Sequence, residues 1–125
     1  MPHGAKTVPI DTTDWSSQLR RGVLEFCILQ VLRRSASYGY EIVTTLGALG
    51  PLAAGENTVY PLLRRLKADD LLETFMQESP SGPPRQYYRL TAPGRKRLIA
   101  LQKEWEAMAT AVDRCMNLEK KEETP

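Results

Sequence analysis

The sequence contains few of the side chains that metal sites and disulfide frameworks require. It has one histidine, His3, and two cysteines, Cys27 and Cys115, so no cluster offers the set of ligands that a zinc site needs. Both cysteines lie in apolar helical patterns far apart in the sequence, and we interpret them as buried thiols. We therefore expect a cytoplasmic protein without a bound metal or another cofactor.

Long apolar runs are also missing. No stretch approaches the ~18 to 20 apolar residues that a membrane helix needs, and the N-terminus lacks the apolar core of a signal peptide. With 125 residues, of which 42% are hydrophobic and 26% charged, the chain has the composition of one globular domain. We expect it to fold in water and to have no membrane partner.

Catalytic sets are absent as well. The sequence shows no nucleophile with a base, no paired carboxylates and no glycine-rich cofactor loop. Its single histidine, His3, lies in an arm that we expect to be flexible and therefore unable to hold a substrate in place. The protein is not expected to be an enzyme.

What the sequence does contain is an uneven distribution of charge. The net charge is only +2, but residues 57–97 carry eight basic and four acidic side chains, whereas residues 98–125 carry four basic and six acidic ones. A positive middle segment is typical of a surface that binds a polyanion. An ordinary solvated face would give the same count, so charge alone leaves both interpretations open.

Two helices are predicted in the first half of the chain. The first covers residues 15–34, contains no proline and carries apolar side chains on more than one side. The second covers residues 38–49, with Ser37 as its N-cap. Its apolar face consists of Ile42, Leu46 and Leu49.

The third predicted helix, at residues 57–69, has two different sides. If Thr58 is its N-cap, Pro61 falls in the first turn, where a missing N–H has no cost. The apolar side consists of Val59, Leu62, Leu63 and Leu66. The opposite side carries Asn57, Pro61, Arg64 and Ala68, with Tyr60 and Arg65 on its flanks. This polar and basic side is suited to contact a polyanion.

A hairpin and a long helix follow. We predict strands at residues 71–77 and 85–91, joined by a long projecting loop that is rich in proline and glycine. Thr91 then caps a helix that continues to Leu118. Its apolar residues follow a heptad pattern: Leu98, Leu101, Trp105, Met108, Val112 and Cys115.

The heptad helix is too long for this domain to cover, at ~39 Å. We therefore expect it to pair with the same helix of a second copy, so that the heptad residues form a dimer interface. The alternative is that the stripe packs on the chain's own first helix.

Three helices followed by a two-stranded hairpin is the order of a winged helix-turn-helix. We therefore predict a mainly α (α+β) fold with a two-stranded wing and a long C-terminal dimerisation helix. The expected organisation is a flexible arm at 1–14, a DNA-binding winged helix-turn-helix at 15–91, the dimerisation helix at 92–119 and a solvated tail at 120–125.

Five segments in this order resemble the PadR family of bacterial transcription regulators. They are GVLEFCILQVL, YGYEI, NTVYPLLRRL, GPPRQYYRLT and GRKRLIALQKEW, and together they span residues 22–105. The single C-terminal helix resembles the smaller subclass of the family. The resemblance implies a homodimeric, ligand-responsive repressor that binds double-stranded DNA at a palindromic operator.

Carried onto this sequence, the resemblance and the charge pattern select ten residues. The residues expected to contact DNA are Tyr38, Gly39, Tyr40, Asn57, Thr58, Tyr60, Arg64, Arg65, Gly82 and Arg85. For the tyrosines, packing between helices remains an alternative. The sequence departs from the family where a glycine usually ends the third helix, because Asp69 and Asp70 stand there.

The resemblance also implies an effector site. The matching tryptophan of the family, here Trp105, lines an apolar cavity at the dimer interface for flat aromatic effectors, and Met108, Val112 and Val23 are expected beside it. A tryptophan at a heptad position also leaves uneven packing without any ligand. A different class of function remains open, namely a protein-interaction module that uses the heptad helix and does not bind DNA.

Overall fold

Residues 8–122 are described by a computed structural model of the chain. The helices are α1 (Thr13–Arg34), α2 (Gly39–Gly47), α3 (Glu56–Ala68) and α4 (Ala92–Met116), with a short 3-10 turn at Gly50–Leu52. The strands are β1 (Ser37–Tyr38), β2 (Leu72–Ser79) and β3 (Gly82–Leu90). This arrangement confirms the mainly helical α+β fold with a winged helix-turn-helix and a long C-terminal helix.

The ends of the first two helices differ from the predicted ones. Helix α1 starts at Thr13, inside the expected flexible arm, because Asp11 Oδ1 accepts a hydrogen bond from the Thr13 backbone N–H at 2.9 Å. Ser37 is not the N-cap of α2. It lies in β1, opposite Tyr88, and its hydroxyl donates to Glu41. Leu49 is exposed, since α2 ends at Gly47.

Helix α3 covers nearly the predicted residues, but its N-cap lies three residues before the expected one. Its N-cap is Gly55, not Thr58, so Pro61 lies inside the helix and not in the first turn. The carbonyl of Asn57 consequently lacks the N–H that a residue other than proline would donate four positions later. The expected apolar side is confirmed, with Val59, Leu63 and Leu66 buried.

The end of α3 shows how an aspartate replaces the expected glycine. Asp70 has a φ of 60°, in the left-handed region that favours glycine. The N–H of Leu71 donates to the Leu66 carbonyl at 2.9 Å, and that of Asp70 donates to the Lys67 carbonyl at 3.0 Å. These two bonds form a Schellman motif, so the helix ends as in a glycine-terminated one.

The hairpin is longer and its turn tighter than predicted. Strands β2 and β3 pair from Leu72 with Leu90 to Ser79 with Gly82, so only two residues form the turn and the predicted loop at 78–84 is wrong. The pairing register shifts between Gln77 and Ser79, where the single residue Glu78 of β2 lies opposite two prolines of β3, Pro83 and Pro84. Pro83 and Pro84, which the sequence places in a loop, therefore lie within β3.

Strand β1 adds a third, unpredicted strand on the other side of β3, in the order β1-β3-β2. The core lies between this sheet and the helices. Its buried apolar residues are Leu24, Ile28, Leu29, Leu32, Ile42, Leu46, Val59, Leu63, Leu66, Leu72, Tyr88, Leu90 and Leu98.

Helix α4 joins the core only at its start. Thr91 caps it as predicted, accepting a hydrogen bond from the Gly94 N–H at 3.0 Å. Leu98, expected at a dimer surface, is only 4% exposed within the domain core and offers little surface to a partner. Beyond Leu101 the helix leaves the domain, and Trp105, Met108, Val112 and Cys115 are exposed in the single chain.

Three further expectations concern the cysteines and the ends of the chain. Cys27 is half-buried, whereas Cys115 is exposed and not buried as expected. Residues 1–7 of the expected arm, including His3, and residues 123–125 of the expected tail lie outside the described residues. Helix α4 ends at Met116, two residues before the predicted Leu118.

Candidate nucleic-acid interface

The outward side of α3 borders two grooves. One, with a volume of about 480 Å³, lies between α3, the start of α2 and the wing, and we call it the tyrosine groove. The other, also about 480 Å³, lies between α3 and α1, and we call it the α1–α3 groove. Helix α3 therefore exposes a basic side to solvent with a concave surface on each flank.

The tyrosine groove collects five of the expected DNA-contact residues from three separate parts of the sequence. It is lined by Tyr38, Gly39, Tyr40, Tyr60, Arg85, Gln86 and Tyr88. Gln86 and Tyr88 were not among the expected site residues. They come from β3, and the alternation of that strand could have indicated at least Tyr88 as an inward-facing residue.

Gly39 is required by the position of Tyr60. A Cβ atom at residue 39 would lie 2.0 Å from Cε1 of Tyr60, far closer than two carbons can approach. The ring of Tyr60 therefore packs directly on the backbone at the start of α2. This contact fixes α3 against α2 and holds the Tyr60 ring at the edge of the groove.

Burial raises the pKa of the two inner tyrosines, which at the ordinary value of a phenol are already protonated at neutral pH. It raises the pKa of the Tyr60 hydroxyl, with the nearby Glu56 adding to the effect. It also raises the pKa of the Tyr88 hydroxyl, which the Arg64 charge partly opposes. A protonated phenol donates a hydrogen bond, so both groups remain donors for a phosphate oxygen at neutral pH.

A row of aromatic and cationic side chains runs across the outer face of the sheet. The Arg85 guanidinium lies 4.5 Å from the ring centre of Tyr38, whose ring meets Tyr87 at 5.3 Å. Tyr87 stacks on Phe75 at 5.6 Å, and Arg89 lies over Phe75 at 4.7 Å. The row holds Arg85 at the mouth of the tyrosine groove.

The basic residues of the wing are not equivalent. Arg89 donates to Glu73 at 2.9 Å, so its charge is partly compensated. Arg85 makes no ion pair within residues 8–122 and retains its full charge for a partner. Gly82 lies at the tip of the wing, beside the turn and apart from the tyrosine groove.

Arg64 and Arg65 also differ, although the sequence places them side by side. Arg64 is exposed and close enough to Tyr88 to affect its pKa. Arg65 lies in the α1–α3 groove with Thr58, where its Nη2 is 3.1 Å from Glu25 Oε1. The same groove contains Arg21, a basic residue of α1 that the sequence patterns did not indicate.

A third groove, of about 380 Å³, lies between α1 and α4, and we call it the effector groove after the site that the resemblance implies. It brings together Val23, Trp105 and Met108 as expected, but Val112 is not among its lining residues. Its lining is mostly apolar and includes Leu19, Phe26 and Leu101, with Glu25, Glu104 and Arg97 as charged members.

Neither a metal site nor a membrane span is found in the part of the chain that the structure describes. No group of three or more histidine, cysteine, aspartate or glutamate side chains is placed to hold a metal ion there. No helix among these residues is long and apolar enough to cross a membrane.

Several solved structures are similar to this chain. A PadR-like transcriptional regulator from Bacillus cereus is 35% identical, with a TM-score of 0.76 over 82% of this chain and 99% of that one. A PadR family transcriptional regulator from Eggerthella lenta is 32% identical, with a TM-score of 0.76 over 86% and 94%. A PadR-like transcription factor from Bacteroides fragilis is 40% identical, with a TM-score of 0.66 over 82% and 98%.

The family model of the transcriptional regulator PadR-like family matches residues 28–100. This match runs from the middle of α1, through α2, α3 and the wing, into the start of α4. It contains the whole tyrosine groove and the outward side of α3. The chain therefore belongs to the PadR-like family of transcriptional regulators, which bind DNA and are not enzymes.

Proposed function

We propose that this regulator binds double-stranded DNA as a homodimer at a palindromic operator and represses transcription in the cytoplasm. The observation that carries the proposal is the convergence of the tyrosine groove and the basic side of α3 on one surface. Donors for phosphate oxygens and side chains that can bond base edges are thereby presented together.

Within this surface, α3 acts as the recognition helix. Asn57 and Arg64 are exposed on its outward side and Thr58 on the flank that faces α1, where they reach base edges or the phosphates that border the major groove. Tyr38, Tyr40 and Tyr60 contact the sugar-phosphate backbone from the tyrosine groove. For Tyr60, packing between helices and contact with DNA are compatible, since its ring packs on Gly39 and still borders the groove.

The wing supplies a second backbone contact. Arg85 approaches a phosphate from the mouth of the tyrosine groove, and Gly82 lets the tip of the wing come close to the duplex. The two-residue turn keeps this tip narrow. Arg65 contributes from the other flank of α3.

The exposed part of α4 forms the dimer interface. Trp105, Met108, Val112 and Cys115 continue the heptad pattern beyond the domain core, and an apolar stripe of this kind is stable in water when a second helix covers it. A two-fold dimer places two recognition helices ~34 Å apart, one turn of DNA, which matches a palindromic operator.

The effector groove accepts a planar aromatic compound that stacks on Trp105. Its apolar lining suits such a ligand, and it lies at the base of the proposed dimer helix. Emission of Trp105 in a Trp15→Phe variant should be quenched by the compound. Unchanged emission, or full affinity in Trp105→Ala, would show that Trp105 only packs.

Selection of bound duplexes from a random pool, followed by a salt titration, tests DNA binding. We expect Arg64→Ala to weaken binding and lower the salt slope by ~1 if it contacts a phosphate. If Arg64 binds a guanine, its loss should relax specificity at one base position, at a cost of ~1 to 3 kcal/mol.

Arg114→Ala provides the matched control. The substitution removes the same charge, and Arg114 is exposed near the far end of α4. Equal effects of Arg64→Ala and Arg114→Ala would show that α3 is not the recognition helix. A wild-type protein that binds no duplex at any salt concentration would favour a protein-interaction module acting through α4.

A further inference from the structure

Glu25 of α1 lies between the recognition helix and the effector groove. Its side chain lines the α1–α3 groove together with Arg65, and it lines the effector groove together with Arg97 and Trp105. Among residues 8–122 it is the one charged residue that lines both of these grooves. With 19% of its side chain exposed, it is largely shielded from solvent.

The carboxylate of Glu25 is shared by two arginines on different helices. Arg65 Nη2 of α3 lies 3.1 Å from Oε1, and Arg97 Nε of α4 lies 2.8 Å from Oε2. Each oxygen therefore has its own partner. The hydrogen bond that Arg97 donates to Glu25, together with the charge of Glu25, also raises the pKa of Arg97.

Three charges in this order have a predictable balance. Glu25 attracts Arg65. The positive charge of Arg97 beside the same carboxylate weakens this attraction, and Arg97 also repels Arg65 directly. Arg65 is 59% exposed, so its guanidinium can exchange Glu25 for a phosphate oxygen of DNA. The state of Arg97 thus affects how readily Arg65 leaves Glu25.

We propose that Glu25 is a positioning residue that holds Arg65 back from DNA, and that Arg97 weakens this restraint by sharing the carboxylate. The inference rests on the proposed function, since it requires that α3 binds DNA. It also connects the effector groove to α3 directly across α1. An occupant that draws Arg97 away from Glu25 leaves Arg65 more tightly held.

A purely structural role predicts a different outcome. If the ion pairs only fasten α3 and α4 to α1, the loss of either partner loosens α3 and lowers DNA affinity. The proposed role predicts changes in DNA affinity of opposite sign. Glu25→Gln frees Arg65, whereas Arg97→Gln leaves Arg65 as the one arginine paired with Glu25 and so holds it more tightly. The sign of each change therefore separates the two roles.

The experiment measures the affinity of the full chain for a selected duplex over a salt series. We expect Glu25→Gln to bind about two- to fivefold more tightly with a salt slope steeper by up to ~1, and Arg97→Gln to bind more weakly by a similar factor. In the Arg65→Gln background, Glu25→Gln should give no gain. Thermal unfolding of each variant reports whether it is folded.

Two controls remove the effect of net charge. Glu106→Gln changes the charge as Glu25→Gln does, and Arg95→Gln changes it as Arg97→Gln does, yet neither residue lines the effector groove or forms an ion pair within residues 8–122. Variants that match their controls, or that both lower the affinity, overturn the inference while DNA binding stands. A wild-type chain without salt-dependent binding overturns the proposed function and the inference with it.

Discussion

Gly39 shows how a single residue sets the shape of the proposed DNA-binding surface. Its missing side chain makes room for the ring of Tyr60, and this contact joins the start of α2 to α3. The conformation of Gly39 itself does not require glycine, because its φ is not positive. The constraint at this position comes from space alone.

Gly39→Ala should therefore destabilise the fold by about 1 to 3 kcal/mol and weaken duplex binding, because the Tyr60 ring must move out of its position. Chemical denaturation and duplex titration measure the two effects. Gly47→Ala is the matched control at the other end of α2, where an added Cβ meets nothing within 4 Å. Equal stability of the two variants would contradict the packing of Tyr60 on Gly39.

At the scale of whole elements, periodic patterns were sufficient for the long helices. Helices α3 and α4 each have an apolar side that the sequence displays over several turns, and α1 is a long apolar segment without proline. The N-cap of α3 differs from the predicted one because Thr58 is a better N-cap by residue type than Gly55, the actual N-cap. Strand β1 was missed because two residues carry no pattern and their partners lie far along the chain.

Most residues of the tyrosine groove could also be predicted from the sequence. Its residues belong to recognisable segments, and a winged helix-turn-helix brings those segments together. Glu25 could not be predicted, because its partners Arg65 and Arg97 lie 40 and 72 residues away in the sequence. Ion pairs between helices produce no periodic pattern in the sequence. Only the folded structure therefore shows that Arg65 is paired with Glu25 and that Arg64 is not.

The junction between the wing and α4 depends on Thr91. Its hydroxyl accepts from the Gly94 N–H and donates to the Asp70 carbonyl at 2.6 Å, so it caps α4 and ties it to the end of α3. Thr91→Ala should lower the free energy of unfolding by about 0.5 to 2 kcal/mol. Thr110→Ala, at an exposed position on the same helix, should change it little. Equal losses in urea denaturation would show that the cap has no special role.

At the scale of the whole molecule, the chain consists of a packed domain and a helix that extends out of it. Met108 is 61% exposed although it belongs to an apolar stripe. The same stripe begins inside the domain at Leu98, so the domain core and the proposed dimer interface are continuous along one helix. In the proposed dimer, α4 would therefore set the orientation of the proposed DNA-binding surface.

Met108→Glu combined with Val112→Glu should convert the dimer to a folded monomer, because both side chains are exposed in the single chain and support no core contact. Light scattering gives the mass and circular dichroism the helix content. Ala107→Glu with Ala111→Glu adds the same charges to another patch of α4 and should leave the dimer intact. A wild-type monomer at micromolar concentration would contradict the dimer outright.

The separation of α4 beyond Leu101 from the domain core also has a consequence for how such proteins diverge. In the proposed dimer, substitutions in that segment would change which chain pairs with which, without disturbing the proposed DNA-binding domain. After a gene duplication, a few changes there would prevent mixed dimers between the two copies. Each copy could then acquire its own operator independently of the other.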